Sequence, residues 1–178
     1  AKESMIVVNA HNVNSGVYPQ CNVKDKDFFF ASFSDAHNGF EYIMSLCSTR
    51  LTHKYGYEPF DIQVLSPSKK GICGVYNLNS GLQSVLNPPS DEKKEKKYGD
   101  LIFREGDKVM QIKNNYDIAW TTDDGTAGSG VFNGDVGIID KISEKFSTLS
   151  VRYDERKVVY DFRDLDEIDL AYAVTVHK

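Results

Sequence analysis

The stretch "DLAYAVTVHK", residues 169–178, is the part of the sequence that decides the fold. Its centre, 171–176, is apolar enough to be covered on both faces. Strands of this kind lie inside parallel sheets and usually lead into another element. Because the sequence stops here, we expect the chain to be a piece of a longer protein, cut at the end of a buried strand. On such a strand Thr175 and His177 share one face.

The composition is typical of a globular protein, with 40% apolar and 26% charged residues among 178. No apolar run reaches the length of a membrane span, and the first residues do not form a signal sequence. Cys21, Cys47 and Cys73 are odd in number and lie in dissimilar contexts, so a reducing interior is expected. Because the net charge is −5, any nucleic acid must bind through a local site.

The first half of the sequence alternates helical and strand patterns, which is typical of a three-layer α/β domain. Ser34 or Asp35 is placed to cap the second helix. The last helix of this half ends at Asn87, before two prolines. The predicted elements are a helix over 4–13, a strand over 27–33, a helix over 34–55, a strand over 61–67 and a helix over 75–86.

The pattern changes after Pro88. A charge run, 90–97, predicts a solvated loop. Short alternating segments with tight turns follow, and they predict a small antiparallel barrel. We therefore predict an α/β domain over 1–103, a barrel inserted over 104–166, and a return to the α/β domain over 167–178. The predicted barrel strands are 107–113, 136–142, 146–153 and 157–162.

No complete active site is visible in the sequence. Residues 125–130 have the glycine spacing of a phosphate loop, but Val131 and Phe132 stand where Lys and Ser/Thr are required, so a flexible hairpin tip is expected. The four histidines never pair at metal-ligand spacing, and no Ser or Cys has a nucleophile-elbow context. We expect no catalytic residue, no bound cofactor and no metal site in the chain itself.

The loop after the predicted strand 61–67 is the best candidate for a ligand site. It carries Ser66, Lys69, Lys70 and Gly71 and leads into a helix. Ligands bind at the carboxyl ends of strands in open α/β sheets, where glycine backbone, helix amides and lysines can meet phosphate. An ordinary connection with solvated lysines is the alternative.

Other candidates are weaker on their residues alone. Asn133 precedes Gly134, and Asn-Gly is a strong hairpin signal. Thr175 and His177 mean little as an isolated pair. Tyr116 and Trp120 are suited to stacking on bases, although packing at the rim or core of the barrel explains them as well.

Four separated blocks, in order, resemble the C-terminal part of RecD-like ATP-dependent DNA helicases of superfamily 1, the RecD/TraA type that includes the alpha subunit of exodeoxyribonuclease V. The opening "AKESMIVVNAHNVNSG" also fits. The resemblance implies a partial RecA-like motor domain, three-layered with a mainly parallel sheet, and an inserted SH3-like antiparallel barrel. The blocks are 61–89, 103–117, 130–140 and 158–178.

The resemblance also implies DNA contacts. Thr175 and His177 would lie along single-stranded DNA, and the loop with Ser66, Lys69, Lys70 and Gly71 would face its phosphates. Asn133 is a weaker candidate, because the barrel is thought to flank the strand in this family.

The implied whole protein is a bacterial 5′-to-3′ helicase or translocase that uses ATP and Mg²⁺ in DNA repair or recombination. Its expected place is the cytoplasm, at the nucleoid, away from membranes. Its expected partners are single-stranded DNA, duplex junctions and helicase or nuclease subunits. The chain lacks the Walker motifs and the first motor domain, so by itself it should neither hydrolyse ATP nor unwind DNA.

Two alternatives stay open. The chain is equally readable as a non-enzymatic module in which the barrel docks a protein or nucleic acid and the α/β part is a scaffold. It also fits a helicase module fused to a relaxase or nuclease.

Overall fold

The computed structural model describes residues 4–176, which fall into two units, Ala1–Gly39 and Phe40–Lys178. His177 of the predicted DNA track therefore lies outside the described residues. Within this described part, no helix has the length and apolar character needed to cross a membrane.

The first unit is organised around helix α1, Met5–Asn14, which confirms the predicted helix. Asp27 accepts hydrogen bonds from the Ser4 hydroxyl at 2.5 Å and from the Met5 amide at 2.7 Å, so the following loop satisfies the helix start. The buried Asn9 side chain joins the helix to both backbone groups of Gln20, at 2.7 and 2.8 Å.

The predicted strand over 27–33 is wrong. The backbone N–H and C=O of Phe30 bond to the side chain of Asn22, at 2.8 and 2.9 Å, instead of to a neighbouring strand. Phe29 and Phe30 are 75% and 62% exposed. The aromatic run has the propensity of a strand, but a side-chain amide takes up the backbone groups that a ladder would use.

The predicted helix over 34–55 is confirmed, although its second half is a π-helix. Helix α2, Ala36–Ser45, begins after Asp35, whose carboxylate accepts from the Asn38 amide at 2.9 Å as an N-cap does. The chain then continues as a π-helix over Leu46–Lys54.

Parallel pairing in the described residues is confined to two short strands. Strand β1, Val64–Leu65, pairs with β11, Ala173–Val174, so that Val64 lies opposite Ala173. The strand predicted over 61–67 thus forms only at its centre, since Pro59–Asp61 is a 3₁₀ turn. The three-layer domain with a mainly parallel sheet that we predicted is therefore not confirmed: in the described residues this two-residue pair is the only parallel pairing, and the other strands pair antiparallel.

Helix α3, Val75–Leu86, forms as predicted and ends at Asn87. Gly81 lets it pack closely on the preceding helix, since a Cβ at this position would lie 2.6 Å from the Phe40 ring. The helix buries apolar side chains, among them Leu78 and Leu82, and also a row of amides. This row, which we call the amide stripe, consists of Asn79, Gln83 and the adjoining Asn87.

The last three residues of the predicted solvated loop over 90–97 belong to a strand. β2, Glu95–Tyr98, pairs antiparallel with β3, Leu101–Arg104. Arg104 bonds Glu95 at 2.8 Å, and the Lys96 ammonium lies 4.1 Å from the centre of the Phe162 ring. Lys96 therefore covers apolar surface, whereas Lys94 and Lys97 are exposed as predicted.

A seven-stranded antiparallel sheet forms the largest part of the second unit, with the order β10-β4-β7-β8-β9-β5-β6. It confirms the predicted antiparallel strands and adds three more, β5, β6 and β10. The bounds predicted for the domains stay a prediction. The strands are β4 Lys108–Gln111, β5 Asn115–Thr121, β6 Ala127–Val131, β7 Val136–Ser143, β8 Thr148–Tyr153, β9 Arg156–Asp161 and β10 Ile168–Leu170.

Only the first part of the predicted hairpin tip over 125–130 is a turn, because β6 begins at Ala127. Gly128 makes this strand possible, since a Cβ there would lie 2.4 Å from the Trp120 ring. Glycines inside the segment concealed the strand at the level of sequence.

The interior of this sheet contains a chain of buried hydroxyls. The Tyr153 and Tyr160 hydroxyls are 2.8 Å apart, and Tyr160 donates to the side-chain oxygen of Gln111 at 2.7 Å. Burial raises the pKa of both tyrosines, so each remains a neutral hydroxyl.

Asp107 is the most heavily bonded buried group, with no exposed surface. Its carboxylate accepts from Gln83 and from the Arg104 amide, both at 2.7 Å, and from Asn87 and the Tyr172 hydroxyl, both at 2.8 Å. Burial raises the pKa of Asp107, whereas these donors oppose that shift.

Asp107→Asn should lower the free energy of unfolding by about 3 kcal/mol, measured by urea denaturation at neutral pH. In either orientation the new amide group faces two of the four donors with hydrogens of its own. The control is Asp140→Asn, an exposed carboxylate 3.4 Å from Lys157, which should change stability by less than about 1 kcal/mol. Equal effects of the two substitutions would contradict the role assigned to Asp107.

Candidate nucleic-acid interface

Two of the predicted DNA-contact segments follow neighbouring strands. The 66–71 loop begins where β1 ends, and Thr175 comes directly after β11. The Ser66 amide donates to the Val174 carbonyl at 3.0 Å, which places the start of the loop beside Thr175. Thr175 is half-buried. The structure therefore brings these two predicted segments together at one sheet edge.

Ser66 shapes the loop from the inside. It is only 5% exposed, and its hydroxyl donates to the Cys73 carbonyl at 2.7 Å. The same oxygen lies 3.4 Å from the Ser68 amide. Because the hydroxyl is buried and bonded within the loop, Ser66 positions its neighbours and does not present its hydroxyl at the surface.

Lys69, Lys70 and Gly71 are exposed at the tip of the loop. Gly71 has φ +97°, a backbone conformation that other residues adopt only with strain. Lys69 acts on Asp169: burial raises the pKa of that carboxyl, and the nearby ammonium opposes the shift. The exposed positive charge of the loop comes from these two lysines.

The amino end of α3 is already satisfied by the loop. The Val75 amide donates to the Ser68 carbonyl at 3.0 Å, and the Tyr76 amide donates to the Lys69 carbonyl at 3.1 Å. Gly74 permits this fold, since a Cβ would lie 2.4 Å from the Lys70 carbonyl oxygen. These helix amides, which the sequence pattern offered as phosphate donors, are thus used internally.

Asn133 lies in a different part of the unit, in the tight turn between β6 and β7. Its backbone amide donates to the side-chain oxygen of Asn114 at 2.9 Å, and Gly134 follows with φ +101°. Asn-Gly thus forms a tight turn, but the turn is not a hairpin, because β6 pairs with β5 and β7 pairs with β4 and β8. The bond to Asn114 joins the turn to the residue before β5.

An exposed aromatic pair lies next to this turn. Tyr116 is 66% exposed and Phe132 is 41% exposed, and their rings meet edge to face with centroids 5.4 Å apart. Trp120, in contrast, is half-buried and packs against Gly128, with Arg156 6.0 Å from its ring centre. Phe132 was missed at the level of sequence, where its only signal was the neighbouring Asn-Gly.

Metal and disulfide chemistry are not visible in the part of the chain that the structure describes. Residues 4–176 contain no group of three or more His, Cys, Asp or Glu side chains that could hold a metal ion. Cys21, Cys47 and Cys73, all within this range, form no disulfide. Burial raises the pKa of the Cys47 thiol, which is typical of a packed, unreactive cysteine.

Comparison with known proteins defines the class of the chain. Residues 78–153 match the family described as the ATP-dependent RecD-like DNA helicase SH3 domain. This range runs from the middle of α3 into the seven-stranded sheet, so that part of the chain is similar to the SH3 domain of these helicases. The predicted resemblance of the chain to the RecD-like helicases of superfamily 1 is confirmed.

The relatives are much longer than this chain. An ATP-dependent RecD2 DNA helicase of Deinococcus radiodurans is 32% identical over 67% of this chain and 14% of its own length. An uncharacterised protein of Methanocaldococcus jannaschii is 30% identical over 66% of this chain and 11% of its own length. The chain thus spans about a seventh or less of the curated relatives that it matches.

Two solved structures align with most of the chain at low identity and low TM-score. Unliganded Pif1 from a Bacteroides species aligns with 84% of this chain and 41% of its own, with a TM-score of 0.41 and 16% identity. Pif1 helicases in a structure concerned with forked duplex DNA align over 84% and 38%, with a TM-score of 0.40 and 16% identity.

Ser66→Ala should lower the free energy of unfolding by about 1 kcal/mol, because the Cys73 carbonyl and the Ser68 amide lose their side-chain partner. Thermal and urea unfolding both measure this change. Ser84→Ala is the matched control: its hydroxyl is exposed on α3 and bonds only the Ser80 carbonyl. A Ser66 variant as stable as the Ser84 variant would show that the hydroxyl does not shape the loop.

Proposed function

We propose that the chain is part of an ATP-dependent DNA helicase or translocase and that it contributes contacts to single-stranded DNA. The observation that carries this proposal is the adjacency of the 66–71 loop and Thr175 at one sheet edge, next to a domain of the RecD-like helicase type. Lys69 and Lys70 supply the charge for phosphate contacts, and Gly71 allows close approach of the backbone.

In the proposed whole protein, β1, β11 and the helices belong to a RecA-like motor domain that carries the SH3-type domain as an insertion. Nucleotide with Mg²⁺ binds between this domain and a second motor domain, and closure of the two moves the protein along one strand. The proposed direction is 5′ to 3′, with duplex junctions as substrates. The proposed setting is repair or recombination in the bacterial cytoplasm, with helicase or nuclease partner subunits.

The proposed contacts do not depend on the base sequence of the DNA. Neutralised phosphates release counterions, so the affinity falls as salt rises. The net charge of −5 repels a polyanion at long range, and binding depends on the local pair of lysines. His177, outside the described residues, remains part of the proposed track.

The chain by itself should show no ATP hydrolysis above background, with or without single-stranded DNA, in a phosphate-release assay. It has no phosphate loop with the required Lys and Ser/Thr, and motor ATPases need residues from two domains. Substituting Val131→Lys and Phe132→Ser, which restores the motif letters in a hairpin, should also give none. DNA-stimulated phosphate release by the purified chain would contradict the proposal.

The double substitution Lys69→Ala and Lys70→Ala should weaken binding of a fluorescent oligothymidine strand and flatten its salt dependence. The slope of log affinity against log salt should fall in magnitude by about 1.4, because two phosphate contacts are lost on a single strand. Fluorescence anisotropy over a series of salt concentrations measures both quantities.

The charge-matched control is Lys141→Ala with Lys145→Ala. These lysines are exposed on β7 and on the turn after it, away from the 66–71 loop in sequence and topology. This variant should keep the wild-type slope. An unchanged slope in the Lys69 and Lys70 variant, or an equal fall in both variants, would remove the loop from the proposed DNA track.

A second candidate function is supported by the exposed aromatic pair, Tyr116 and Phe132. Large aromatic side chains at a rigid surface position are frequent anchors in protein interfaces. In this alternative the SH3-type domain docks a partner and the remaining part is a scaffold. A chain that binds no single-stranded DNA at low salt would leave this function as the better explanation.

A further inference from the structure

The pairing of β1 with β11 is too short to determine its own register. Each strand has two residues, and the flanking backbone bonds are Val64 amide to Tyr172 carbonyl at 3.3 Å and Ser66 amide to Val174 carbonyl at 3.0 Å. A slip by one residue turns every side chain of a strand to the opposite face. Something outside the ladder must therefore select which residue of β11 lies against β1.

Asn79 of the amide stripe makes contacts that select one register. Its side-chain oxygen accepts from the Ala173 amide at 2.8 Å. Its side-chain nitrogen donates to the Ala173 carbonyl at 3.0 Å and to the Leu170 carbonyl at 3.1 Å. One buried amide thus binds both backbone groups of a single residue, and after a one-residue slip those groups would point the other way.

Other contacts hold the start of this segment but do not bind the backbone of β11 itself. The Ala171 amide donates to the Lys108 carbonyl at 2.9 Å, two residues before Ala173. The Gln63 side-chain nitrogen lies 3.3 Å from the Tyr172 carbonyl and 3.4 Å from the Ala171 carbonyl, and so is shared between neighbours. The Tyr172 hydroxyl fixes the residue before β11 to Asp107. It does so through a side chain, which leaves the orientation of the following backbone open.

We infer that Asn79 is a positioning residue that sets the register of β11 and so keeps Thr175, rather than Val174 or Val176, beside the 66–71 loop. Buried polar side chains have register selection as their best attested structural role. The consequence for DNA rests on the proposed function, whereas the register itself does not.

The test compares Asn79→Leu with Gln83→Leu in the 178-residue chain. Both replace a buried amide of α3 with an apolar side chain of similar size. Gln83 bonds Asp107 and the Ile102 carbonyl and makes no bond to β11, so it is a matched control for lost stability. Amide hydrogen exchange by NMR is read at Val64 and Ser66, whose bonds to β11 are backbone only.

Asn79→Leu should speed exchange of the Val64 and Ser66 amides by about tenfold more than its effect on global unfolding explains. Gln83→Leu should speed exchange at these amides only as far as global stability falls. Parallel behaviour of the two variants would overturn the inference.

Asn79→Asp gives a second test, in which protection of Ser66 is compared with global stability at the same pH. When protonated, the carboxyl donates to one carbonyl and accepts from the Ala173 amide, as the native side chain does. When ionised, it faces the Leu170 and Ala173 carbonyls without a donor. Protection of Ser66, corrected for intrinsic exchange, should therefore be present at low pH and lost as pH rises through the pKa of this carboxyl. A flat profile, like that expected of the wild type, would overturn the inference.

Binding of a fluorescent oligothymidine strand separates the two proposals. If the wild type binds and Asn79→Leu weakens binding while Gln83→Leu does not, both are supported. If the wild type fails to bind while the exchange results hold, the proposed function fails and the register role stands. If the wild type binds but the two variants exchange alike, the register role fails and the proposed function stands.

Discussion

The amide stripe of α3 is the constraint on which the second unit depends. Asn79, Gln83 and Asn87 are spaced by four residues, so their side chains lie on one face of the helix line. All three are buried, and buried amides must find partners. Asn79 finds them on β11, and Gln83 and Asn87 find them on Asp107. One helix thereby binds both β11 and the residue that precedes β4.

The start of β4 is held from two sides. Asp107 faces α3, and the next residue, Lys108, donates to the Phe60 and Ile62 carbonyls at 2.9 and 3.0 Å. Successive residues of an extended chain point to opposite faces, so this division follows from local geometry. Burial lowers the pKa of Lys108, and the Asp61 carboxylate opposes that shift. The seven-stranded sheet joined in this way shares one apolar core with α3.

Strong periodicity made some elements predictable from the sequence and weak periodicity hid others. Leu78 and Leu82 repeat at helical spacing before two prolines, and α3 forms within the predicted bounds. β6 was missed because Gly128 and Gly130 interrupt its pattern, although Gly128 is there to admit the Trp120 ring. The aromatic run over 27–33 was wrongly predicted as a strand for the opposite reason. Its residues favour strands, but the Phe30 amide bonds the side chain of Asn22.

The resemblance suggested which segments form the candidate site, but the sequence did not reveal the structural roles of their residues. The resemblance places the 66–71 loop and Thr175 on one DNA track, and in the structure the two segments lie at one sheet edge. The sequence does not reveal that Ser66 turns inward, because a serine has the same pattern whether it bonds a ligand or the Cys73 carbonyl. Nor does it reveal the amide stripe, since polar residues on a helix normally indicate a solvated face.

The two lysines of the 66–71 loop have different electrostatic surroundings. Lys69 lies near Asp169, a partly buried carboxyl whose pKa burial raises and this ammonium lowers. Part of the field of Lys69 therefore acts within the fold. Both lysines are exposed, and Lys70 lies at the tip of the loop beside Gly71. In the proposed DNA track both ammonium groups therefore meet phosphate, and Lys69 in addition offsets part of the cost of burying the Asp169 carboxyl on β10.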